Sequence, residues 1–225
     1  MGDINLKKKD LLWSFILIVI ISFLAYPVTR ELFLTLTKSH PYILGFIKVS
    51  ILATMGEFLS IRICTGDFKK PKGLLYKFLV WGFIGMIFVI MFDIFSGGVS
   101  YVTTKGLLPS FQNPILNKLS SAFLTSSIMN LTFAPAFMGF HRVTDTLIDL
   151  SDGTLSKILK LSLNETLEAI DWSSFIGFIV LKTIPFFWIP AHTITFMLPS
   201  EYRVLAASFL SIALGAILSF SKRQK

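Results

Sequence analysis

The chain has 225 residues, 53% of them hydrophobic and only 15% charged, with a formal net charge of +8 and a mean hydropathy of +0.72. A soluble domain carries about a quarter charged residues, so the composition excludes an ordinary water-soluble enzyme and points to an integral membrane protein. The basic excess lies between apolar runs and at the ends, where membrane orientation and lipid headgroups account for it, and no nucleic-acid motif accompanies it. A lone cysteine, Cys64, excludes an internal disulfide or a thiolate cluster. His40, His141 and His192 lack ligand spacing, so neither a metal site nor a cofactor is expected.

In chain order, Lys7-Lys8-Lys9 precedes an apolar run over residues 11–28. Tyr26-Pro27 stands where a signal peptidase would need small residues, so this reads as an uncleaved first span with Arg30 and Glu31 at its far interface. His40-Pro41 opens a second span running to about residue 64, because proline is well tolerated where the first amides lack partners. On that helix Ser50, Thr54 and Glu57 fall on one face, and Lys48 falls roughly opposite Glu57. A polar loop over 65–74 leads to a third span, 75–95, with Asp93 near its end. Residues 96–117, rich in Gly, Pro, Ser and Thr, read as a long loop.

The fourth span, 118–142, is unusually polar in its first half, and Ser126 and Asn130 share a face. Phe133-Ala134-Pro135 interrupts it. Residues 144–171 are amphipathic and acidic, which predicts a short surface helix rather than a span. The fifth span, 172–198, carries Lys182 within the apolar run, then Pro185 and Pro190, with His192 after them. Carbonyls freed by proline need partners in hydrocarbon, so this helix is expected to be broken and to face other helices or a wet cavity. Pro199-Ser-Glu-Tyr202-Arg203 turns into a sixth span, 203–220. There Ala207, Ser211, Gly215 and Ser219 recur every fourth residue, a stripe suited to close packing and a candidate surface for a second copy of the chain.

With six spans, Lys7, Lys8, Lys9, Arg62, Lys69, Lys70, Lys72, Lys77, Arg142, Lys157, Lys160, Lys222, Arg223 and Lys225 share one side. Arg30, Lys38, Lys105, Lys118 and Arg203 take the other. That asymmetry predicts both ends on the cytoplasmic-type side. It does not separate a prokaryotic plasma membrane from a mitochondrial inner or peroxisomal membrane. The fold class expected is all-α: a polytopic transmembrane bundle of about six spans with proline-broken helices.

Several stretches, taken together, resemble one family, that of the peroxisomal twenty-two-kilodalton membrane protein and Mpv-seventeen. They are His40-Pro41, Gly56-Glu57, the segment from Phe133 through Pro135 to Gly139, Trp188 with Pro190, and Leu198-Pro199-Ser200-Glu201-Tyr202-Arg203. The resemblance covers residues 40–225, about five spans, and leaves 1–39 as an additional N-terminal span. The family's Asn-Phe pair is replaced near Thr195-Phe196. The resemblance implies a weakly selective pore for ions and small solutes.

Ionisable groups within a bilayer are costly and mark functional positions by default. The candidate path residues are therefore Lys48, Ser50, Thr54, Glu57, Ser126, Asn130, Lys182 and His192. For Glu57 the competing reading is a structural ion pair with Lys182 or Arg62. No catalytic motif is present, so an enzyme is not expected. A non-conducting, lipid-interacting protein and a coupled transporter are the alternatives to a pore.

Overall fold

A computed structural model describes residues 7–223, with the side chains of 218 and 220–223 excepted; the basic Lys225 lies outside the described residues. The described chain is helical and holds no strand. Four helices are long and apolar enough to cross a membrane, or six if each of two bent pairs is one span. The fold class thus agrees with the reading of the sequence.

Helix α1 (Lys8–Ala25) is apolar on every side, and none of its residues is buried. Leu11, Phe15 and Ile18 stand exposed, as they must on a helix facing lipid. Two polar contacts tether it. Asp10 accepts from Arg62 Nε at 2.7 Å and Nη2 at 2.9 Å, and Trp13 Nε1 donates to the Met55 carbonyl at 3.1 Å. That contact turns Trp13 inward. The chain then bends by 83° into α2 (Pro27–Ser39), an amphipathic helix that buries Phe33 and Thr37. Arg30 and Glu31, expected at the far interface of the first span, lie in this second, bent helix.

Helix α3 (Pro41–Thr65) matches the expected second span. Helix α4 runs from Leu74 to Thr104, so residues 96–104 are helical where a loop was expected. The reason is environmental. Gly97 and Gly98 weaken a helix in water, but in hydrocarbon every backbone group needs an internal partner, and continuing the helix supplies it. Helices α5 (Pro114–Thr132) and α6 (Ala134–Leu150) meet at Phe133 with a bend of 49°. Pro135 sits in the first turn of α6 and so breaks no internal bond. The expected surface helix over 144–171 is corrected too. Its first part continues α6, and only the short α7 (Leu155–Ile158) and α8 (Leu163–Glu168) follow.

The fifth span does not break at its prolines. After α9 (Trp172–Ser174) the chain takes π-helical pairing over Phe175–Trp188 and resumes as α10 (Ile189–Met197). These form one span of 26 residues. Widening the turn admits Pro185, and Pro190 falls at the start of the α-helical part, where its missing amide is tolerated. Pro199 then precedes α11 (Ser200–Arg223).

The bundle is built around α3, which packs closely on α4 and α11. A Cβ at Gly45 would lie 2.8 Å from the Gly85 carbonyl oxygen, and one at Gly56 would lie 3.2 Å from the Ile212 Cα. Ser60 and Ser219 join their hydroxyls at 2.6 Å. Ala207 and Ser219 are buried, and Gly215 faces Gly56. Three residues of the α11 stripe, Ala207, Gly215 and Ser219, are thus engaged within the chain, and Ser211 lines the larger cavity.

At the end of the bundle where α3 ends and α4 begins, here called the near end, Asp152 holds Lys72 at 2.6 Å and Lys157 at 3.0 Å. These two ammonium groups pull its carboxyl down to about 2. Because the folded-state value lies below the ordinary one, the tie is intact above pH 4 or so and is lost as pH falls through about 2. Carboxyl-carbon NMR should find Asp152 titrating well below the other loop carboxylates. Gly45→Val should lower folding stability by about 1–3 kcal/mol, the usual cost of overpacking, in reversible unfolding from detergent. An unchanged midpoint would mean that α3 and α4 are not in close contact.

Candidate functional site

Two cavities lie along the bundle. The larger, about 380 Å³, is enclosed by α3, α4, α5, α6, the fifth span and α11 toward the near end. The smaller, about 160 Å³, lies at the opposite, far end among α2, α3, α4 and α11. One residue, Phe92, lines both. It is 3% exposed, its ring lies 5.2 Å from Phe196 and 5.8 Å from His192, and Val49, Val204 and Ala207 pack in the same cluster. An aromatic and aliphatic layer therefore separates the two spaces.

Most of the larger cavity's wall is apolar, with polar groups at chosen places. Asn130 Nδ2 lies 3.0 Å from His192 Nδ1 and donates to the Ser126 carbonyl at 2.8 Å. His192 stacks on Trp188 with ring centres 5.0 Å apart. Ser126 donates to the Ile189 carbonyl at 2.7 Å, as does the Thr193 hydroxyl. The Ile189 carbonyl thus accepts one hydroxyl from α5 and one from its own span. Trp188 Nε1 and His141 Nδ1 are buried with no partner among the described residues. An unmet buried polar atom is costly, and both residues line the larger cavity.

The charged mouth of this cavity is at the near end. Lys77 Nζ lies 2.8 Å from Glu57, 3.1 Å from Asp145 and 3.0 Å from Asp149, and its side chain is 9% exposed. Glu57 and Asp145 face the cavity, as does Arg142. One ammonium thus ties three carboxylates from α3 and α6 to α4. Reading Lys77 from the sequence as one more basic residue of the near-end loop missed it. The usable signal was its position four residues into an apolar helix, together with Asp145 and Asp149 at i, i+4 on α6.

The remaining expected site residues divide. Glu57, Asn130 and His192 line the larger cavity, with Gly56, Phe133 and Trp188 beside them. Ser50 is fully buried but donates to the Phe46 carbonyl at 2.7 Å. Thr54 Oγ1 is buried without a partner among the described residues. Neither lines a cavity, so the expected polar face of Ser50, Thr54 and Glu57 is replaced by Ala53, Gly56, Glu57 and Ser60. A helix turn of 100° per residue carries the first two hydroxyls off the wall.

Lys182 is exposed, between Leu181 and Phe186 at 62% and 81% exposure. It lies on the outer face and is corrected as an interior group; its long stem can carry the charge toward the interface. The Glu57–Lys182 and Glu57–Arg62 pairs are likewise corrected, because Lys77 takes Glu57 and Asp10 takes Arg62.

Lys48 belongs to the far-end pocket, with Pro41 and Arg203. His40 and Pro41 form the entry to α3. Tyr202 packs on Phe33 with ring centres 6.2 Å apart. Arg203 donates to the Leu198 carbonyl at 3.1 Å and so closes the end of α10. Among the described residues no His, Cys, Asp and Glu cluster could hold a metal. No family model, curated protein or solved structure matches the chain.

Lys77→Met leaves three carboxylates facing one another without a cation. It should cost about 3–5 kcal/mol of stability, the usual loss on removing one partner of a buried pair. Glu57→Gln, which leaves Lys77 two carboxylates, should cost clearly less. Reversible unfolding of both variants compares them, and equal losses would remove Lys77 from its central place.

Proposed function

We propose that the protein is a weakly selective membrane pore for ions or small solutes, whose path runs from the far-end pocket past Phe92 into the larger cavity and out at the Glu57 mouth. The observation that carries this reading is a pair of cavities toward opposite ends of the bundle with a single lining residue, Phe92, common to both. Hydrophobic constrictions of this kind gate by excluding water. Glu57, Asp145 and Asp149 outnumber Lys77 and Arg142 at the near-end mouth, which favours cations there. The resemblance to the peroxisomal and Mpv-seventeen membrane proteins, which the sequence stretches above carry, supports the same reading. The asymmetry of Lys and Arg supports both ends on the cytoplasmic-type side.

The same aromatic layer favours a second reading, a carrier that exposes one cavity at a time. Planar-bilayer recording of purified protein separates the two. A pore gives discrete openings, Phe92→Ala raises the time spent open, and Glu57→Gln shifts ion preference toward anions. A carrier gives solute exchange in liposomes with no unitary openings. Folded protein that supports neither would leave a non-conducting membrane protein.

A further inference from the structure

The far-end pocket has a chemistry unlike that of the larger cavity. Lys48, from the first half of α3, is 7% exposed, and among the described residues no carboxylate forms an ion pair with it. Its ammonium has the Thr37 hydroxyl at 3.3 Å and the face of Phe33, 4.9 Å from the ring centre. A buried ammonium with only these neutral partners is far from satisfied. Arg203 opens on the same pocket; its guanidinium donates to neutral atoms, the Leu198 carbonyl at 3.1 Å, Ser96 Oγ at 3.3 Å and the Phe196 carbonyl at 3.5 Å, while the Asp93 and Glu201 carboxylates act on it from farther away.

Two carboxylates also border the space. Glu201 is held by Lys38 at 3.1 Å, and Asp93 is exposed. With that pair cancelled, Lys48 and Arg203 outweigh Asp93. The first turns of two long helices add to the balance, since Pro41 opens α3 and Ser200 opens α11, and both residues line the pocket. Each such terminus acts as about half a positive charge, and the first-turn amides of α11 are already engaged, that of Glu201 by its own carboxylate and that of Tyr202 by the Pro199 carbonyl. A volume of about 160 Å³ holds about five water molecules at roughly 30 Å³ each, enough for a small anion that keeps part of its hydration.

We infer that the pocket among Lys48, Arg203 and the first turns of α3 and α11 binds an oxyanion, the carboxylate or phosphate group of a small solute or of a lipid headgroup. A planar or tetrahedral oxyanion matches the donors present: a guanidinium fork, an ammonium and helix amides. The site stands independently of conduction; that a free solute held there is the cargo rests on the pore reading above.

The test uses full-length protein in a phosphate-free maltoside detergent, with inorganic phosphate as the probe and thermal unfolding as the readout. Wild type should show a saturable rise in Tm with phosphate. Lys48→Met, which removes a buried charge and keeps the length, should fold with an undiminished Tm and bind phosphate about tenfold or more weakly, the loss of one charge-assisted bond. If Lys48→Met fails to fold, Arg203→Gln reads the same phosphate dependence. An equal rise in wild type and variant, or none in wild type, overturns the site. Repeating the titration with added phosphatidylglycerol identifies the source: competition assigns the site to a lipid headgroup, and undiminished phosphate binding assigns it to a free oxyanion. Phosphate efflux from liposomes then separates this site from the pore. Binding without efflux keeps the site and removes phosphate as a cargo; efflux without binding overturns the site and leaves the pore.

Discussion

The architecture depends on the close approach of α3 to both α4 and α11. Gly45 against the Gly85 carbonyl and Gly56 against Ile212 leave no space for a larger side chain. In a bilayer the lipid chains are as apolar as leucine, so burying leucine against leucine gains little there, and helices hold together by dense packing and hydrogen bonds. The joined hydroxyls of Ser60 and Ser219 fit that account. Once α3 is clamped on two sides, its Glu57 face must turn to the space between α4, α6 and α11. Its Lys48 turns to the pocket beneath α2. Both candidate sites follow from one rigid helix.

Helix existence was legible because hydropathy dominates in a membrane protein: each span is an apolar run of the necessary length. Helix ends and bends were harder to read, for a physical reason. Turn signals such as Ser96-Gly97-Gly98 describe competition with water for backbone groups, and that competition vanishes in hydrocarbon. The same holds for Pro185, which reads as a break but is absorbed by π-helical pairing over Phe175–Trp188. Residues 29–39 carried no legible element beyond the interface marked by Arg30 and Glu31. Their polar face hid an amphipathic helix lying across the bundle end.

The site was legible in part. Glu57, Asn130 and His192 were found by the rule that polar groups in apolar runs face inward, and they do line the cavity. Lys182 obeyed the same rule in sequence and broke it in space, because one turn of helix decides whether a long basic side chain points inward or toward the lipid. Periodicity could not decide this, since the fifth span is apolar all round and its π-helical turns shift every face. Lys77 failed the rule in the other direction. It sits beside a basic loop, so its charge was assigned to orientation rather than to the three carboxylates it joins.

The two ends of the bundle differ in how their charges are satisfied, and this bears on the proposed path between them. At the near end, Lys77 is matched by more carboxylate than it can neutralise, leaving the mouth negative. At the far end, Lys48 and Arg203 donate their hydrogen bonds to neutral groups, and the first turns of α3 and α11 add positive potential. Between them, Phe92 and Phe196 form a layer that offers a passing ion no compensating polar group. An ion attracted to one end is therefore repelled by the other until that layer moves. A path with opposite mouths and an apolar centre disfavours passage of a bare ion of either sign. It favours solutes whose own charge is partly compensated, by a counter-charge or by retained water.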